Sequence, residues 1–447
     1  MYLSIKEFER KMGVLALTGG KKSGITVPEE LFKWPIVTKE DEDAVVEVLR
    51  AGSMSGTDIT QIFEKEYARW AGTEYALGCC NGTAALTEAL WACGVRAGDE
   101  VICPSMTYWA SATPVVALGG TVNFADIDRN TLCIDPADIE HRIGPRTRAI
   151  MVVHYAGYPC DMDAIMDIAE RHGLKVIEDV SHAQGGFYKG RKLGSIGHIA
   201  GTSLMAGKAL AVGEGGMVTT NDRKLYDRCV VFGHYERLVA SNYSRASMEL
   251  SSPELMPYIG LPFGGVKHRM NQTCSAMGRV QLRHYPERCA EIQKAMNYLW
   301  DNLADLPGIK AHRTLPGSDS TMGGWYLPKG IFCSEELDGL SCKVFCAALC
   351  AEGLPCRTGA NSALHQHPWF HDFDVYGHGK PSVIAFTERD VRQNDSTLPN
   401  AASCDEFCFT VPWFKKCMTS EIDQYIAIYR KVLTNYRELL NIDPEKL

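Results

Sequence analysis

Lys208 stands in Ser203-Leu204-Met205-Ala206-Gly207-Lys208-Ala209-Leu210, among small and apolar residues. An ammonium in such a setting is costly unless its charge is managed. Burial lowers a lysine pKa and makes the amine a nucleophile, and a Schiff base is the usual reason to place lysine so. Asp179 ends the hydrophobic run Val176-Ile177-Glu178-Asp179, and His182 follows three residues later. A carboxylate where a strand runs out can hold a proton on a ring nitrogen, although it serves equally well as a turn or N-cap residue. His182 can donate to the same ligand. Tyr108 follows the apolar run Glu100–Pro104 and offers a ring to stack on a flat molecule. Asn81-Gly82-Thr83 lies between an apolar run and a helical pattern. There Gly82 lets the backbone approach a ligand, Thr83 adds a hydroxyl, and the helix N-terminus attracts an anion. Each group alone has an ordinary structural explanation. Together, a phosphate nest, a stacking ring, a ring-nitrogen carboxylate and a buried amine are the components of a pyridoxal 5'-phosphate site.

These groups need elements to position them. From residue 75 onward short apolar runs alternate with helical patterns: 75–80, 100–104, 122–127, 149–155 and 175–179 read as strands, 83–93, 109–118 and 162–171 as helices. Runs at 202–205 and 217–220 read as two more strands. Such alternation predicts an α/β fold with a mostly parallel central sheet flanked by helices. Ligands of such sheets bind beyond the carboxyl ends of the strands, where all four motifs fall. Earlier, Thr38-Lys39-Glu40-Asp41 opens a helix as a capping box and Gly52 stops it. After residue 270 the character changes: a long helix over 275–303, short strands near 382–386 and 406–411, and a final helix from Thr419. The expected organisation is an N-terminal arm (1–35), a large α/β domain (36–270) and a smaller α+β domain (271–447).

The chain has 447 residues, 45% of them hydrophobic, with a net charge of −8. That is enough for large cores and argues against nucleic acid or an anionic membrane surface as partner. No apolar run is long enough to cross a membrane. The opening MYLSIKEFERK reads as a charged helix or arm rather than an export signal. The 17 scattered cysteines are therefore expected to be reduced, and the location cytoplasmic. Cys342, Cys346 and Cys350 share one helix face and read as small packed residues. His365-Gln366-His367 has the spacing of a zinc pair but no acidic or thiol partner nearby, so no metal is expected. A nucleotide-binding protein would carry G-x-x-x-x-G-K-[ST] or G-x-G-x-x-G, and neither occurs.

The segments CCNGTAAL, EVICPSMTYWASA, VIEDVSHAQGGFYKGRKLGSIG, SLMAGKALAVGEGGMVTTND and GVKHRMNQTCSAMGRVQL, with LPNA and VPWF near the end, resemble the DegT/DnrJ/StrS family of sugar aminotransferases. That resemblance spans roughly residues 34–440. It implies the pyridoxal-phosphate transferase type I (aspartate-aminotransferase) fold and ping-pong transamination from Glu or Gln to a keto sugar, first of all a nucleotide-linked 3- or 4-keto hexose. A keto cyclitol such as scyllo-inosose is the second acceptor, and a non-catalytic regulator or binding module the alternative from another class. An inert relative would be expected to lose Lys208 or Asp179, and both are present. The resemblance implies that Lys208 forms the aldimine and shuttles the proton, that Asp179 pairs with the pyridine nitrogen, and that His182 touches the ring oxygen. It implies Tyr108 on the ring face, Gly82, Thr83 and Ser203 on the phosphate, and a homodimer with shared sites. Lys267 replaces an Asn that reaches the neighbour's phosphate. His365 matches a substrate-side histidine but lacks the preceding proline. Ser55 and Gly56 border the acceptor pocket. Ala209 and Leu204 also depart from the family's usual Asn and aromatic residue.

Overall fold

A computed structural model describes residues 14–240, 246–377 and 379–447. The charged opening segment, expected to be a helix or arm, falls outside them. Thr38 caps the first helix, α1 (Lys39–Arg50), as the sequence indicates: its amide and hydroxyl both donate to Asp41 Oδ2, at 2.8 and 2.7 Å. Helix α2 (Asp58–Ala71) ends at Gly72, whose φ of +78° is open to glycine at little cost.

A seven-stranded sheet follows. Its strands are β1 (Tyr75–Cys79), β2 (Glu100–Pro104), β3 (Thr121–Ala125), β4 (Thr147–Val153), β5 (Lys175–Asp179), β8 (Ile199–Ser203) and β9 (Gly216–Thr220), in the order β1-β9-β8-β5-β4-β2-β3. The two-stranded ribbon of β6 (Phe187–Tyr188) and β7 (Arg191–Lys192) lies apart from it. Pairs β2/β3, β2/β4, β4/β5 and β5/β8 are parallel, and β9 runs antiparallel to both β1 and β8. Consequently β1, β2, β5 and β8 all run the same way. The loops after Cys79, Pro104, Asp179 and Ser203 therefore emerge at one edge. Strands β2 and β3 are buried along their whole length, as expected where helices cover both faces. The covering helices are α3 (Gly82–Ala92), α4 (Thr113–Ala117), α5 (Pro136–Arg142), α6 (Met162–His172) and α7 (Arg223–Gly233).

The long helix α8 (Gln272–Asp301) leads to a second, antiparallel sheet of β10 (Ile309–Ala311), β11 (Lys329–Phe332) and β12 (Cys408–Thr410). Helices α9 (Cys342–Glu352) and α10 (Thr419–Thr434) pack on it, with Phe345, Leu349, Phe409 and Tyr429 in the core. Two features depart from the sequence reading. The expected strand at 382–386 is instead a helical turn, Ser382–Ile384, entered from Pro381. Residues 363–408 do not belong wholly to the second core: Ala363, Phe370, Val383, Leu398 and Phe407 join the core of the large sheet. Of the cysteine face on α9, Cys342 and Cys346 are buried and Cys350 is exposed. Among the described residues no helix is long and apolar enough to cross a membrane.

Candidate active site

The alternation along β5 separates two neighbouring carboxylates. Glu178 turns into the protein, where the amides of Gly194, Ile196 and Gly197 and the ring of His154 satisfy it. Asp179 lies in the opposite direction and lines a cavity of about 370 Å³ at the sheet edge. The Ser111 hydroxyl donates to its Oδ2 at 2.8 Å and the Ser181 amide to its Oδ1 at 3.0 Å, which fixes the carboxylate plane.

Lys208 enters the cavity from the β8–β9 loop. That loop folds on itself through Leu204 N to Gly215 O, Ala206 N to Gly213 O and Val212 N to Leu204 O, each 2.8 Å. Ala209, Leu210, Ala211 and Val212 anchor it by burial. Gln184 staples it further: its amide donates to Ser203 O and Leu210 O, and its Oε1 accepts from Leu210 N. Only 7% of Lys208 is exposed. Burial brings its ammonium pKa down to about 8, against the opposing pull of Asp179. Its Nζ lies 3.8 Å from the centre of the Tyr326 ring. The His182 ring stacks obliquely on the same tyrosine at 4.6 Å. Burial, reinforced by Lys208 and Lys329, drives the His182 pKa well below the usual histidine range. Its Nδ1 accepts from the Ala156 amide at 3.4 Å, so the proton of the neutral ring sits on Nε2, leaving a donor.

At the other end of the cavity Asn81 caps α3, accepting from Ala84 N at 2.8 Å. The first amides of α3, with Thr83 and Ser203 beside them, form the anion-attracting end of a helix. Gly82 packs directly on Ser203: a Cβ there would lie 2.6 Å from Ser203 Cβ. We expect Gly82→Ala to destabilise the fold by roughly 1–3 kcal/mol, the usual cost of overpacking, and, by displacing the turn at Ser203, to weaken cofactor affinity in a fluorescence titration of the cofactor-free protein. Unchanged affinity would contradict this cradle. Tyr108 and Trp109 stand at the mouth, 49% and 45% exposed.

Seven expected residues thus meet in one cavity: Gly82, Thr83, Tyr108, Asp179, His182, Ser203 and Lys208. Four others lie outside it. Ser55 is exposed on a turn, and the neighbouring Gly56 packs on Gln272 at the start of α8. Lys267 is exposed on the segment before α8. His365 is buried between Ser105 Oγ, 2.6 Å from its Nδ1, and Asp395 Oδ1, 3.0 Å from its Nε2. His367 serves a different purpose from His365, accepting from Trp369 N. Tyr326, Asn361 and Glu214 line the cavity without having been anticipated, and Trp34 donates to Lys208 O at 2.9 Å.

The donor set fits pyridoxal phosphate: a helix end with hydroxyls for the phosphate, a carboxylate and a neutral imidazole for the ring, and an amine for the aldehyde. With half of the amines neutral near pH 8, covalent attachment to the cofactor-free protein should quicken about tenfold per pH unit below 8 and level off above it. Stopped-flow mixing across pH 6–10 tests this. A flat profile below 8 would show that the amine is not the titrating nucleophile.

A mostly parallel sheet with these groups at its carboxyl edge is the arrangement of a pyridoxal-phosphate enzyme. The chain belongs to the DegT/DnrJ/EryC1/StrS aminotransferase family, whose model matches residues 35–426. It is 38% identical over 280 residues to GDP-perosamine synthase of Escherichia coli O157:H7, covering 62% of this chain and 72% of that protein. It is 33% identical over 332 residues to L-glutamine:2-deoxy-scyllo-inosose aminotransferase of Streptoalloteichus tenebrarius, covering 72% and 76%. The X-ray structure of an aminotransferase from Psychrobacter cryohalolentis matches with a TM-score of 0.76 and 31% identity, over 92% of this chain and 100% of that one.

Proposed function

We propose that the chain moves an amino group from glutamate or glutamine to a nucleotide-linked 3- or 4-keto hexose in two half-reactions. The observation that carries this reading is the pairing of a desolvated Lys208 with a firmly oriented Asp179 in one cavity. Bound pyridoxal phosphate supplies a ring that withdraws electrons and so acidifies the donor's Cα–H. Lys208 holds the cofactor through its amine. Once displaced by the donor, it takes the proton from Cα and returns it on the far side of the reacting system, base first and acid second. Asp179 keeps a proton on the ring nitrogen. His182 Nε2–H donates to the ring oxygen, Tyr108 covers a ring face, and Gly82, Thr83 and Ser203 hold the phosphate.

The acceptor class rests on the relatives' names. GDP-perosamine synthase supports a nucleotide sugar. The inosose aminotransferase, which matches more of this chain, favours a second reading, a keto cyclitol. A screen with glutamine and glutamate as donors separates them. Turnover on nucleotide-linked keto hexoses at least tenfold above scyllo-inosose supports the first reading, and the reverse order assigns the cyclitol. No turnover on either class, with the covalent chromophore present, favours a non-catalytic binding role.

A second copy of the chain completes the site in this reading. Lys267 and Ser55 lie outside the single chain's cavity, exposed and so available to a neighbour's, while Gly56 is buried beside Gln272. Met256, Tyr258, Ile259, Leu261 and Phe263 expose apolar surface on the segment leading to Lys267. His365 would act on the substrate side through the Ser105 contact at the end of β2. All seventeen cysteines are free, in keeping with a reducing cytoplasm. The division of the chain near residue 270 belongs to the same proposal, with 363–408 lying across both cores.

A further inference from the structure

Directly behind the phosphate-binding turn lies a cluster the aminotransferase chemistry does not use. Cys79 is the last residue of β1, Glu88 sits on α3, His234 follows α7, and His268 lies in the segment that pairs with the end of β1. Four separate elements thus converge. Cys79, Glu88 and His234 are each fully buried, and the His268 side chain is 15% exposed. His234 Nε2 is 2.9 Å and His268 Nδ1 3.1 Å from Glu88 Oε1. Cys79 Sγ is 3.4 Å from Glu88 Oε2 and 4.0 Å from His234 Nε2. Among the described residues, Cys79, Glu88 and His234 are the one such group whose donor atoms all lie within 4.8 Å of one another, and His268 reaches it through Glu88.

We infer that Cys79, Glu88 and His234 form a three-ligand site for a zinc-class divalent cation, with His268 holding the Glu88 carboxylate as its outer partner. The argument is geometric. Zinc bonds of about 2.0–2.3 Å at tetrahedral angles put ligand atoms about 3.3–3.6 Å apart. Among Cys79, Glu88 and His234 the separations, 2.9 to 4.0 Å, bracket that range. The donor types agree: one thiolate, one carboxylate and one imidazole suit a borderline-soft ion, and the two anions neutralise its two charges. The other ring nitrogen of His234 faces Glu236 Oε1 at 3.8 Å, an ion-pair separation beyond hydrogen-bond reach. Gly233 leaves the room: a Cβ there would come within 3.0 Å of Glu88 Oε1 and 3.2 Å of His268 Cβ.

Without metal, the thiol and the two rings bond to Glu88, which keeps the buried carboxylate satisfied. Binding replaces the thiol proton and any proton on the ligating ring nitrogen of His234, and these pass to solvent. The ion would then tie the turn Cys80-Asn81-Gly82 to the segment carrying Lys267, so its role is structural.

The test uses the cofactor-loaded enzyme. It is equilibrated with Zn²⁺, freed of loose metal, and analysed by mass spectrometry of the elements. Co²⁺ exchange then reads a thiolate-to-cobalt band as a difference from the zinc form. We expect about one zinc per chain, a thiolate band, and loss of both in Cys79→Ser. His268→Gln, on the partly exposed segment, should lower zinc affinity at least tenfold and serves if Cys79→Ser does not fold. Chelation should lower the melting temperature of the wild type, and that of His268→Gln by less. Wild-type protein that retains no zinc overturns the site. So does zinc retained equally by folded Cys79→Ser and His268→Gln, which would locate it elsewhere.

Discussion

Replacing Lys208 by alanine is expected to leave a folded protein that binds pyridoxal phosphate without a covalent bond and turns over on the order of 10⁴-fold more slowly, or not at all. Two roles fall on this one amine. In the proposed function it is the attachment point, and no other cavity-lining residue carries an amine. It is also the group placed to carry a proton, since burial brings its pKa down to about 8, close to working pH. Folding should survive, because the deletion removes a desolvated cation rather than a packed apolar chain. The loop around it stays pinned by Gln184 and by Ala209–Val212. Circular dichroism and melting should match the wild type while the visible absorbance of the covalent form disappears. Retained turnover in this variant would refute the assignment.

The second large effect belongs to Asp179. Asp179→Asn keeps the shape and one acceptor, the amide oxygen for Ser181 N–H, while the Ser111 hydroxyl turns to accept from the new NH2; it removes the negative charge proposed to hold a proton on the ring nitrogen. Loss of one preorganised electrostatic contact of this kind costs on the order of 10²–10³ in kcat. The covalent bond to Lys208 should remain, so absorbance persists while rate falls. Ser111→Ala removes only an orienting hydroxyl and should cost far less. Equal losses in the two variants would mean that orientation, not charge, is what Asp179 provides.

The site was largely legible because its members sit in short contiguous motifs at strand ends, and a parallel sheet brings such ends to one edge. Lys208 was visible through its apolar flanks, Asp179 through its place after Val176-Ile177. Tyr326 and Asn361 carried no comparable signal: they come from loops more than a hundred residues downstream and meet Lys208 and His182 only through tertiary packing. Trp34 reaches Lys208 across a similar gap. Helix starts were clear where capping chemistry marks them, as at Thr38. The turn at Ser382 was misjudged because three apolar-flanked residues carry too little periodicity to distinguish strand from helical turn. The burial of Phe370 and Phe407 against the large sheet is likewise a tertiary choice that local pattern does not record. The Cys79–Glu88–His234–His268 cluster escaped for the same reason: its members are spread over nearly two hundred residues, with no ligand spacing to betray them.

The most direct measurement is to treat the loaded enzyme with borohydride, digest it, and locate the reduced cofactor by tandem mass spectrometry. The pyridoxyl mass on the peptide bearing Lys208, and on no other lysine, is the outcome expected here. Label on a different lysine such as Lys415, or none at all, would contradict the account.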